Sequence, residues 1–185
     1  MKTLVLAALL LLPACATPPA QPTLPADVFF ERLTSLCGQR FAGRLASTDA
    51  ADADFAGKPL VIGPVDCAQE KTIRIPFAVG EDRSRTWVVT RLESGALRLK
   101  HDHRHADGSE DVLSQYGGDS SAPGADDRQD FPVDDYSKAL FARESRTASM
   151  TNVWTMAVAP GALFAYELNR PNRHFRVEFD LSRPL

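Results

Sequence analysis

The chain has 185 residues, 44% of them hydrophobic and 8% aromatic, with a formal net charge of −3. So mild a charge balance does not suggest nucleic-acid binding, and the apolar content suits one domain with a proper core.

The first element is a leader. MKTLVLAALLLLPACA carries Lys2, an unbroken apolar run from Leu4 to Leu12, and then small residues. That run is shorter than the roughly 20 apolar residues of a membrane-spanning helix, so it reads as the core of a secretory signal over residues 1–14 and stands outside the fold. Leu12-Pro13-Ala14-Cys15 resembles a bacterial lipobox, in which Cys15 becomes the acylated first residue of a lipoprotein. Ala14-Cys15-Ala16 also fits the small-x-small pattern of ordinary signal peptidase, which would give a secreted or soluble periplasmic protein. Residues 15–25 form a tether rich in proline, extended at about 3 Å per residue, suited to holding a domain off a membrane surface. No aspartate follows Cys15, and the lipoprotein resemblance then implies the outer membrane, facing the periplasm. The implied partner is the membrane, through the lipid anchor.

Residues 26–185 remain as one β-rich domain. Pro25 to Leu36 is a predicted helix, with Phe29, Leu33 and Leu36 on one stripe, Asp27 early and Gly38 just past the end. Cys37 closes this helix, and with Cys15 assigned to lipid it is left with Cys67. Two cysteines in an oxidising compartment predict a disulfide.

Period-2 patterns follow. Phe41–Leu45 and Leu60–Val65 are short strands. Ile73, Ile75, Phe77 and Val79 alternate cleanly, with Pro76 predicting an edge or a bulge. Trp87–Leu92 and Ala96–His103 flank Glu93-Ser94-Gly95, a hairpin whose three-residue loop pairs Val89 with Leu99 and Trp87 with His101. Residues 106–135 hold nine acidic residues and one basic residue, Arg128, and read as a long exposed loop with at most a short strand at 112–116. Within it, Gly117-Gly118-Asp119-Ser120 reads as a turn. A short helix from Asp134 to Arg143 places Tyr136 and Leu140 on one face. Three strands close the chain at Val153–Val158, Leu163–Leu168 and His174–Leu181, with His174 outward on the last.

This order predicts an antiparallel β-barrel, with an open β-sandwich as the alternative. A leading helix followed by Cys37-Gly-Gln-Arg-Phe-Ala-Gly-Arg44 resembles the opening of calycin barrels, the lipocalin-type group. GEDRSRTW, HDHRHADGSED, QYGGD and FRVEFDL resemble a family of uncharacterised proteobacterial envelope proteins, a resemblance that implies no activity.

Two stretches carry candidate chemistry. His101, His103 and His105 alternate in KHDHRHADGSED. On a strand, neighbours at i, i+2 lie about 6.6 Å apart and two rings can tilt toward one ion, whereas the third lies about 13 Å away. His101 and His103 are therefore at most two ligands of a zinc or haem site, completed by Asp107, Glu110 or Asp111. The other reading of the stretch is a strand end whose histidines are hydrogen-bonded in place, with Asp102 and Arg104 facing solvent. The second stretch places Arg85 and Trp87 beside His103 and His101 at one polar end of the barrel, as ligand-binding residues. Asp52-Ala-Asp54-Phe-Ala-Gly57 lacks the remaining ligands of a calcium loop and reads as a surface turn. No catalytic set is visible. The expectation is a binding or structural barrel without a cofactor, taking a small-molecule or protein partner; the alternative is a metal-dependent enzyme, or a haem- or metal-binding protein, using His101 and His103.

Overall fold

The computed structural model describes residues 23–121 and 124–185; the leader, Cys15 and most of the tether lie outside the described residues. The elements in chain order are α1 (Pro25–Thr34), β1 (Phe41–Leu45), β2 (Leu60–Ile62), β3 (Asp66–Gln69), β4 (Thr72–Val79), β5 (Asp82–Arg91), β6 (Leu97–His103), β7 (Tyr116–Asp119), β8 (Arg128–Pro132), α2 (Asp135–Arg143), β9 (Val153–Ala159), β10 (Leu163–Arg170) and β11 (Arg173–Pro184). Ten strands follow one antiparallel path, β7-β6-β5-β4-β2-β1-β11-β10-β9-β8, and β3 pairs on β4 beside it. One sheet curls until its two ends meet, so the architecture is a nearly closed barrel and not a two-sheet sandwich.

The seam lies between β7 and β8. There the Asp134 amide donates to the Gly117 carbonyl at 2.9 Å and the Ser121 amide to the Asp130 carbonyl at 3.2 Å. Helix α2 follows β8 directly and is tied to β7. Its Asp134 cap accepts from the Ser137 amide at 2.8 Å, and the buried Ser137 hydroxyl accepts from the Gly117 amide at 2.7 Å and donates to the Gly117 carbonyl at 3.1 Å. The buried face of α2 is Ser137, Leu140 and Phe141; Tyr136, expected beside Leu140, is exposed.

The loop expected over 106–135 contains both seam strands. Gly117 and Gly118 are strand residues, not a turn, because close backbone approach is what requires them. A Cβ on Gly118 would stand under 3.0 Å from the Pro132 carbonyl, and one on Gly117 under 3.0 Å from the Leu99 carbonyl. Pro76 is not on an edge, but the expected bulge lies beside it, where the β4–β5 register shifts between Phe77 and Val79. Strand β4 has β5 along one side and β3 followed by β2 along the other, and Pro76 falls where the partner changes. No ladder donor is needed at that break.

Alternation fills the interior. Phe175, Val177, Phe179 and Leu181 of β11 point inward, with Trp154, Met156 and Val158 of β9, Ile73, Ile75 and Phe77 of β4, and Leu97 and Leu99 of β6. Helix α1 plugs one end with Ala26, Phe29, Phe30 and Leu33, and Arg91 reaches its first turn at Asp27, 3.4 Å away. The other end holds the site.

Cys37 and Cys67 form the expected disulfide, with a Cα–Cα distance of 5.8 Å and a sequence separation of 30. The bridge ties the end of the plug to β3. On a chain-entropy account, closing that loop stabilises by roughly 3 kcal/mol. A Cys37→Ser, Cys67→Ser variant should therefore lose about that much in urea unfolding, and alkylation of unreduced, denatured wild type should find neither thiol free.

Candidate functional site: the mouth of the barrel

The β5–β6 hairpin has the expected register: Arg85 pairs with His103, Trp87 with His101 and Val89 with Leu99. The column Leu97, Leu99, His101, His103 therefore runs up the inside wall from core to mouth. At its upper end lies a cavity of about 160 Å³. Trp87, His101, Phe77, Tyr166 and Phe175 form its buried floor and walls; Phe55, Arg85, His103, Tyr116, Leu168 and Arg173 form a half-buried rim.

The floor is an aromatic stack. Trp87 lies 4.2 Å from Tyr166 at 20° between planes, and 4.7 Å from Phe77 at 18°. His101 stacks on Tyr116 at 4.4 Å and sits 5.0 Å from Trp154. Trp154 and two of the chain's three tyrosines thus converge on one histidine, whose cross-strand partner is Trp87.

His101 is 2% exposed and both of its nitrogens are used. Nδ1 lies 3.0 Å from the Tyr116 carbonyl oxygen, which can only accept, so Nδ1 carries the proton. Nε2 then accepts from the Tyr166 hydroxyl at 2.7 Å. Burial pushes the His101 pKa down to about 3, against the stabilising pull of the Tyr116 carbonyl. Burial likewise raises the Tyr166 and Tyr116 hydroxyls, which stay protonated. His103 is less enclosed; burial and then the Arg85 guanidinium lower it. Its Nε2 lies 3.3 Å from the Tyr116 hydroxyl.

For a metal, this arrangement offers little. Both His101 nitrogens have protein partners, and the 101 and 103 ring centroids stand 6.4 Å apart. The carboxylates expected to help are engaged in the loop: Asp107 accepts from Ser109, Glu110 from Gln115 and Asp111 from Leu113. Among the described residues no three His, Cys, Asp or Glu side chains are grouped to hold an ion. His105 lies in the loop, 3.8 Å from Asp111, and His174 is outward on Asn169.

The rim is set by a loop that the sequence left as a surface turn. Asp52 there is buried, not exposed; it is bonded to Arg173 and accepts from the Ser47 hydroxyl at 2.5 Å. Arg173 also reaches Asp49 at 3.4 Å. This clamp folds the loop over the mouth, so that Phe55 lies 4.7 Å from Phe175 and under the Arg85 guanidinium at 5.8 Å. Phe55, Tyr116, Tyr166 and Arg173 were not singled out from sequence. Tyr166 had a signal, the inward alternation of Phe164, Tyr166 and Leu168, and Tyr116 ended the short strand expected at 112–116; Phe55 comes from a loop, and Arg173 opens β11 just ahead of the strand expected from His174.

Asp102 corrects another expectation. It points to the outer face, as the alternation requires, but it is 4% exposed. Arg74 donates to it at 2.6 Å, Arg104 at 2.7 Å and Gln115 at 3.2 Å. Burial would raise this carboxyl; the hydrogen bonds from Arg74 and Arg104 outweigh it, and the pKa is lowered. Long side chains from β4 and the following loop roof the position, which strand period alone cannot show. Asp102→Ala should therefore destabilise by about 1–2 kcal/mol, since charged hydrogen bonds contribute about that much where their donors are partly solvated. A urea midpoint equal to wild type would refute it.

No family model, no curated protein and no solved structure matches the chain.

Proposed function

We propose that this protein is a lipid-anchored binding barrel of the bacterial outer membrane, facing the periplasm and holding a small ligand in its mouth. The observation that carries the binding reading is the mouth itself: a concave, mainly aromatic cavity with a few converging donors, on a barrel plugged at its other end by α1. The neutral, fully bonded His101 and the protonated tyrosines favour recognition over proton transfer. The calycin resemblance fits the same reading, because such barrels take ligands at an open end. The anchor rests on LPAC and the tether. The first described residue after it, Thr23, leads into α1 at the plugged end, opposite the cavity.

Toluene and phenol, each small enough for the cavity, should quench or shift tryptophan fluorescence with 1:1 saturation. Leu168→Trp, which fills the rim, should abolish the response; no saturable change with either probe would overturn the binding reading. For the anchor, wild type should fractionate with membranes and Cys15→Ser should be soluble. Equal solubility of the two would refute anchoring.

A further inference from the structure

The charge of the lining narrows the ligand. Among the cavity's lining residues stand two guanidiniums and two histidines, but no carboxylate. Arg173 is spent on Asp49 and Asp52 at the back of the rim. Arg85 is not. Among the described residues it gives one hydrogen bond, from Nη1 to Asp82 at 2.5 Å, on the solvent side. A guanidinium carries five N–H donors, so most of its fork is left to face the mouth.

The cross-strand partner of Arg85 is His103. Its Nε2 lies 3.3 Å from the Tyr116 hydroxyl, which can donate or accept, and its Nδ1 has no partner among the described residues, so the ring can turn an N–H to a ligand when the Tyr116 hydroxyl donates. The Arg85 guanidinium and the His103 ring, on adjacent strands, thus lie together at the rim above an aromatic floor. The volume sets the size, because an engineered cavity of about 150 Å³ takes a single benzene ring. The lining sets the apolar character, since Trp87, Tyr166, Phe77, Phe55 and Phe175 surround the cavity and Tyr166 and Phe77 each stack on Trp87. An aromatic box can also hold an organic cation, but a cation here would meet the Arg85 guanidinium.

We propose that the mouth binds a single-ring arene carboxylate, its ring among the aromatic side chains of the cavity and its carboxylate on Arg85 and His103. This rests on the binding reading above and names its ligand class. The fork geometry of arginine matches two carboxylate oxygens at once, and the apolar floor leaves the ring as the only part that can be buried.

The test compares three probes of one size on the wild-type protein: benzoate, benzamide and benzyltrimethylammonium. Benzoate should bind about tenfold or more tighter than benzamide, which is at least about 1.4 kcal/mol, and the cation should not compete. Arg85→Gln should bring benzoate to within about twofold of benzamide. Benzamide binding as tightly as benzoate in wild type would overturn the anion assignment while the binding reading stood. Toluene and phenol binding with benzoate excluded would do the same, and saturation by none of these would remove both. The wild-type comparison decides the matter even if Arg85→Gln does not fold.

Discussion

Gly118→Ala is expected to destabilise the protein by about 3 kcal/mol or more, at the upper end of what overpacking costs. The added methyl would fall on the Pro132 carbonyl, a backbone atom with no rotamer by which to yield. Relief requires β7 and β8 to separate, which removes the hydrogen bonds from Asp134 to Gly117 and from Ser121 to Asp130. The same opening loosens Ser137, whose hydroxyl is satisfied by Gly117 alone. A buried polar group left unpaired adds about 1–3 kcal/mol. The neighbouring substitution Asp119→Ala, which removes only the solvated pair with Arg98, should cost less than about 1 kcal/mol. Urea unfolding measures both, and amide exchange should show faster opening of β7 and β8 in Gly118→Ala. Equal midpoints for the two variants would mean that the seam does not hold the barrel shut.

That seam marks the limit of what the sequence discloses. Strands with strict alternation and one buried face were legible, down to the pairing of Trp87 with His101, because a slip of one residue would have turned Leu97 and Leu99 outward. Tyr116–Asp119 was not, since YGGD offers no side-chain period and its glycines answer to Leu99 and Pro132, distant in the chain. The inward histidines were legible for the same reason as the strands. The buried Asp52 and Asp102 were not, because what covers them is Arg173 in one case and Arg74 in the other, each supplied by a different strand. Local pattern discloses the face a residue points to; it does not disclose what lies over that face.

His101 should make the barrel acid-sensitive. Its folded pKa is depressed to about 3 from an ordinary 6.5 because the ring is enclosed, so the folded state holds it neutral. Above about pH 6.5 neither state protonates it and it contributes no pH dependence. Between about pH 6.5 and 3 the unfolded chain takes up a proton that the fold refuses, and stability falls with pH at up to about 1.4 kcal/mol per unit. Roughly 3 kcal/mol would be lost by about pH 4, a large share of a typical domain's 5–15 kcal/mol. His103, also lowered, titrates in the same direction, and so do the paired carboxylates Asp102, Asp134 and Glu167; a wild-type profile alone therefore does not isolate His101. His101→Gln does. Its amide can donate to the Tyr116 carbonyl and accept from the Tyr166 hydroxyl, without a proton to gain. The variant should be about 1–2 kcal/mol less stable than wild type near pH 7.5, from altered packing against Tyr116 and Trp154. Its urea midpoint should fall more slowly on acidification, so that the two curves meet or cross between about pH 6 and 4. Parallel curves across that window would show that the fold accepts a proton on His101, and that the ring is not sealed between its two tyrosines.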